Sequence, residues 1–106
     1  MLILDAFGAF LSGELDRAAY LERLERAYAD SGNARLRTLV WQLAAEALGV
    51  RGHGESSLSA ASRAVALGLA DVEWADQCPA LTPTRQLAGW AELRRQLQTQ
   101  ADAIWC

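Results

Sequence analysis

The sequence predicts a single all-α domain, a compact four- to five-helix bundle spanning residues 1–106, and three observations carry that expectation. Alanine and leucine dominate the chain, while β-branched residues are few and never alternate with polar ones as a strand requires. Apolar residues recur instead at spacings of three and four. The breaks between these runs fall on Gly, Ser, Asn and Pro, the residues that stop and start helices. A length of 106 residues suits one core and not two, and 52% hydrophobic against 22% charged residues is the composition of a chain that folds.

In order along the chain, the first helix is expected from about Ile3 to Leu11, with Ile3, Phe7, Phe10 and Leu11 on one face and Ser12-Gly13 ending it. Asp16 is placed to cap a second helix running to about Ala29, which turns Tyr20, Leu21, Leu24, Ala27 and Tyr28 inward. Glu22 and Arg26 lie four apart on its outer face, in the favourable order for an ion pair. Asp30-Ser31-Gly32-Asn33 stops it, and Asn33 caps a third helix from about Ala34 to Leu48. On that helix Leu36, Leu39, Val40, Trp41, Leu43, Ala44, Ala47 and Leu48 cover most of the circumference, leaving a narrow polar stripe of Arg35, Thr38, Gln42 and Glu46. A helix so apolar is either central or covered by a partner. Gly49 reads as its C′ residue.

Val50–Glu55, with two glycines around His53, is the expected mobile loop. Ser56 or Ser57 caps a fourth helix to about Ala70, with Leu58, Ala61, Val65 and Leu69 inward. Asp71 caps a short turn, Val72–Gln77, that holds Trp74 and ends at Cys78-Pro79. The last helix is expected as one piece, capped by Thr82, with Pro83 in the first position and the apolar stripe of Leu87, Trp90, Leu93, Leu97, Ala101 and Ile104 continuing to Trp105.

Few chemistries survive this composition. Every basic residue is Arg, so no lysine nucleophile or base exists. A net charge of −3, with the arginines scattered among carboxylates, offers no field for nucleic acid or anionic lipid. No apolar run has the length of a membrane span, and Asp5 interrupts the start too early for a signal peptide, so the cytoplasm is the expected compartment. There Cys78 and Cys106 are expected as free thiols; in an exported chain a single disulfide between them is the alternative. His53, Glu55 and two separated cysteines lack the ligand pairing of a metal centre, and no cofactor motif is present. Arg51-Gly52-His53-Gly54 before a helix echoes a phosphate loop only in its glycines. His53 and Cys78 are the residues a small enzyme would have to use.

The opening Phe7-Gly8-Ala9-Phe10-Leu11-Ser12-Gly13-Glu14-Leu15, followed by Tyr20-Leu21 and Tyr28, resembles the start of small helical bacterial immunity proteins of the colicin-immunity kind. The resemblance covers about the first 28 residues. It implies a cytoplasmic protein that neutralises a toxin by binding it, and it carries over no functional residue.

Four tryptophans in a chain of this length add to the case for recognition, since Trp serves both cores and interface hot spots. Trp90 falls on the apolar stripe of the last helix and is expected in the core. Trp41, on the side of its helix away from Leu39 and Leu43, and Trp74, in its short turn, are the candidate contacts to a protein partner, with Glu22 and Glu25 as electrostatic contributors. The expected function is therefore a non-enzymatic protein-binding module of immunity, antitoxin or adaptor type. The alternative is a self-associating bundle whose third and last helices form a symmetric interface.

Overall fold

The computed structural model describes the backbone of residues 3–30 and 32–105 and the side chains of residues 4–26 and 32–104. The expectations for the side chains of Ile3, Ala27, Tyr28 and Cys106, and for Ser31 as part of a helix stop, lie outside the described residues. Among those described there is no strand. The described residues form seven α-helices in one all-α domain: α1 Ile3–Ser12, α2 Arg17–Asp30, α3 Ala34–Val50, α4 Gly54–Ala66, α5 Val72–Gln77, α6 Thr82–Arg85 and α7 Trp90–Trp105, with a 3-10 turn at Pro79–Leu81 before α6.

Several caps fall where the sequence places them. The Asp16 carboxylate accepts from the Ala19 N–H at 2.8 Å, Asn33 from the Leu36 N–H at 3.1 Å, and Asp71 from the Trp74 N–H at 2.9 Å. Each satisfies a backbone donor that a helix start leaves open.

The C-termini differ from expectation. Gly49 is not a C′ residue; it lies buried inside α3, where a Cβ would stand 2.1 Å from the Ala80 carbonyl oxygen. The C′ position belongs to Gly52, at φ +81°, which only glycine adopts without strain. From there the Gly52 N–H donates to the Gly49 carbonyl (3.1 Å) and the His53 N–H to the Leu48 carbonyl (2.8 Å). The expected mobile loop at Val50–Glu55 is thus a closed three-residue turn, Arg51–His53. The same device ends α4 early: Gly68, at φ +117°, donates to Val65 (3.0 Å) and Leu69 to Ala64 (3.0 Å), so the helix stops at Ala66 and not near Ala70. Gln100 of α7 then donates to the carbonyls of Val65 (2.7 Å) and Leu69 (2.6 Å), tying the end of α4 to the last helix.

The start of α4 is also displaced. His53 stands at its N-cap, and Ser57, expected as a possible cap, lies within the helix, fully buried against α3. Its hydroxyl donates to the Ala45 carbonyl (2.7 Å) and accepts from Thr84 (2.8 Å). The last helix is in two pieces. Thr82 does not cap it; its hydroxyl donates back to the Pro79 carbonyl (2.9 Å). The break at Gln86–Gly89 lets Thr84 reach Ser57. It also lays Gly89 against Leu58, whose Cδ2 is 2.9 Å from where a Cβ on Gly89 would be. Arg85 donates to the carbonyls of Ala75 (2.8 Å) and Cys78 (2.6 Å), closing the end of α5.

The whole measures 42 × 32 × 17 Å, a slab whose short dimension admits two helix layers and no third. Helix α3 runs through its middle and packs chiefly on α4. Their shared face is built from alanines (Ala44, Ala45 and Ala47 with Ala60, Ala61 and Ala64), all at most 2% exposed. Phe10 and Tyr20 stack at 4.5 Å between α1 and α2 beside this core.

Candidate functional site

The packing of alanines on α4 rotates α3 relative to the sequence expectation. An α-helix turns about 100° per residue, so orienting Trp41, Ala44, Ala45 and Leu48 inward turns Leu36, Leu39 and Val50 outward. Trp41 is 1% exposed, whereas Leu36 is 39%, Leu39 47% and Val50 62% exposed. Trp41, the candidate for a second surface on the side away from Leu39 and Leu43, is instead core, and it is Leu36 and Leu39 that reach the surface. The exposed apolar residues of this side are Leu36, Leu39 and Val50; Leu43 and Glu46, which lie between them at spacings of three and four, are half-buried, Glu46 beneath Trp74 of α5.

The sequence-predicted site residues are divided among three places. Arg63 of α4 lies over the Trp41 ring, 3.9 Å from its centroid, and forms an ion pair with Glu25 of α2. Glu25, Arg63 and Trp41 thus make a stack that closes the α2–α4 side of the core. Glu22 pairs with Arg26 one turn along α2, in the open solvent-facing geometry expected from their spacing. Trp74 lies elsewhere. Half-buried, it donates its indole N–H to Glu46 of α3 at 2.8 Å, and the Cys78 thiol approaches the same oxygen at 3.5 Å. Glu46, expected as part of a plain polar stripe, is the anchor that holds α5 against α3. The structure brings Trp41 and Glu25 together, but it does not assemble all four residues into one patch.

Burial pushes the Cys78 thiol up from its ordinary value, with the Glu46 charge acting in the same direction, so the thiol is held protonated at neutral pH. This opposes a nucleophilic role. His53 is half-buried in the α3–α4 turn, its ring 6.1 Å from that of Phe10. No group of three potential metal ligands occurs among the described residues, and no helix among them is long and apolar enough to cross a membrane. The Tyr20 hydroxyl is buried with no hydrogen-bond partner among the described residues, and desolvation, then the charge of Glu46, raises its phenol far above the usual range.

A concavity adjoins Leu39 on this side of α3. A cleft of about 910 Å³ opens between the first half of α3, the α4–α5 connection and the last half of α7. Leu39, Leu67, Leu69 and Ala101 give it an apolar floor, and Ile104, 59% exposed, forms one lip. Arg35, Thr38 and Gln42, most of the expected polar stripe, face this cleft. The candidate site is therefore the outward stripe of α3 together with the cleft beside it. The sequence points to the third helix, as central or covered by a partner, and to the last helix beside it, but not to which side of α3 stays exposed. The available signal was the alanine cluster, whose small side chains mark the closest helix approach. No known protein family, characterised protein or solved structure matches this chain.

Proposed function

We propose that this protein is a non-enzymatic protein-binding module that engages its partner through the outward face of α3. The observation that carries the reading is the exposed Leu36 and Leu39, one turn apart on a central helix, with Val50 exposed at its end. Paired leucines on a central helix beside an apolar cleft are the kind of surface a partner covers. The absence of a catalytic set in the sequence and the protonated Cys78 thiol favour binding over chemistry. The immunity-like opening residues add the narrower reading that the module neutralises its partner, in the cytoplasm, the compartment that suits an unpaired Cys78. Trp74, half-buried beside Glu46, is the tryptophan that remains available for partner contact; Trp41 contributes by holding the face in place.

The test is an affinity capture from native lysate with the stoichiometry of co-purifying protein measured, run in parallel with a Leu36→Gln/Leu39→Gln/Val50→Gln variant. A stoichiometric foreign protein that the wild type holds and the folded variant loses supports the module. Retention by the variant removes α3 from the interface. A second copy bound through the same stripe, seen as concentration-dependent mass lost in the variant, would instead establish the self-associating bundle.

A further inference from the structure

We propose that the cleft between α3 and α7 takes a basic amphipathic helix of the partner protein, an inference that rests on the binding-module reading and names the kind of partner. The shape comes first. The cleft is walled by two helices and floored by aliphatic side chains, with Leu39 of α3 and Ile104 of α7 facing it from opposite sides. A helix presenting an apolar face at i, i+3, i+4 and i+7 is the element that fills such a groove.

Charge then decides the occupant. Three carboxylates stand around the cleft, Asp71, Glu73 and Asp102, against one guanidinium, Arg35, and all four are exposed. Asp71 accepts from a backbone N–H and Asp102 from the Gln98 amide (2.8 Å), neither of which neutralises it. Arg94, whose charge Asp102 supports from a distance, is committed to Asp76 through two hydrogen bonds of 2.7 and 2.9 Å. No ion pair engages the three carboxylates among the described residues. An acidic rim on an apolar floor favours an apolar helix with Arg or Lys along its flanks, through steering and through rejection of like charge. A second copy is the poorer occupant: it carries the same net charge of −3 and brings the same three-to-one rim.

The test uses the full chain, labelled with 15N, and two synthetic helix-favouring peptides with leucines at three-four spacing. One has Arg and Lys on its remaining positions and the other Glu. The basic peptide is expected to shift the amide signals of Thr38, Leu39, Gly68, Ala70 and Ala101 and to bind at least about tenfold more tightly than the acidic one by calorimetry. Its affinity falls with salt. Glu73→Arg/Asp102→Arg reverses the preference, and Leu39→Gln weakens both peptides, with circular dichroism confirming the fold of each variant. Asp71 is left in place because it caps α5. Failure of the basic peptide to bind at these signals, equal affinity for the acidic peptide, or indifference to the charge reversal overturns the inference. So does self-association that Leu39→Gln abolishes. The two readings fail separately. If the α3 triple variant loses the native partner while the basic peptide ignores the cleft, the module stands and the basic helix falls. If that variant keeps its partner, the module reading fails whatever the peptides do.

Discussion

The two sides of α3 are built on opposite terms. Toward α4 and the 3-10 turn it presents Ala44, Ala45 and Gly49, all buried; away from them it presents Leu36, Leu39 and Val50, all at least 39% exposed. On the first side small residues let two backbones approach, close enough that the Ala80 carbonyl occupies the space of a Gly49 side chain. On the second, Leu36 and Val50 stand in solvent and Leu39 borders the cleft toward α7. The difference teaches that the phase of a helix in a thin bundle follows closeness of approach as well as hydrophobicity. It also locates where the molecule spends its packing and where it keeps apolar surface in reserve.

The largest effect expected from breaking this arrangement is at Trp41, the biggest fully buried side chain. Trp41→Ala should cost about 3–5 kcal/mol in denaturant unfolding, because it removes a core aromatic and the surface on which Arg63 lies. Partner binding by this variant would then be lost through the fold and not through a contact. A variant of unchanged midpoint would show that Trp41 is not core and would reverse the assignment of the two faces. Next is Gly49→Ala. A new Cβ at 2.1 Å from the Ala80 oxygen cannot be absorbed by a side-chain rotation, so α3 and the 3-10 turn must separate, at about 2–3 kcal/mol. A neutral Gly49→Ala, against the gain usual for alanine within a helix, would show that the close approach is absent.

Two buried hydroxyls sharpen the comparison from within the core. Ser57 donates to Ala45 and accepts from Thr84, so Ser57→Ala strands the Thr84 hydroxyl and should cost about 2 kcal/mol. The double variant Ser57→Ala/Thr84→Val removes both hydroxyls and should recover much of that loss, a non-additivity that thermal melts of the four proteins would reveal. Equal and additive losses would mean the two hydroxyls do not interact. Tyr20 is the counter-case. Its hydroxyl is buried without a partner among the described residues, so Tyr20→Phe, which keeps the stack on Phe10, should raise stability by about 1 kcal/mol. A destabilised Tyr20→Phe would reveal a hydrogen bond in solution, with ordered water the first candidate.

Helix class, and three caps at Asp16, Asn33 and Asp71, were legible in the sequence because each is decided within a few residues. The break before Trp90 was not. The apolar stripe of the last helix continues in register through Leu87, and the break there accompanies contacts distant in sequence, Thr84 on Ser57, 27 residues away, and Gly89 against Leu58. The C′ role of Gly52 over Gly49 depended likewise on Ala80, which sequence spacing does not reveal. For the site, hydrophobicity alone does not tell the two sides of α3 apart, because leucines and alanines cover most of its circumference; the closeness of α4 decides that Trp41 is core and Leu39 surface. Glu46 looked like solvent-facing polarity, and its role appeared only once α5 laid Trp74 and Cys78 beside it.

The smallest effect on stability belongs to the outward row, and it separates a functional surface from a badly filled core. Leu36→Gln, Leu39→Gln and Val50→Gln keep an aliphatic stem on the helix, and leucine and glutamine differ little in helix propensity. Each residue already keeps a good part of its side chain in water, so each change should move stability by less than about 1 kcal/mol in urea unfolding. Partner binding should fall much further, since apolar area is what the interface gains. A loss of several kcal/mol for any one of them would mean that the residue packs in the core and that the two sides of α3 are more alike than the structure makes them. If stability holds and binding falls, the side of α3 that adds little to the fold is the side the partner uses.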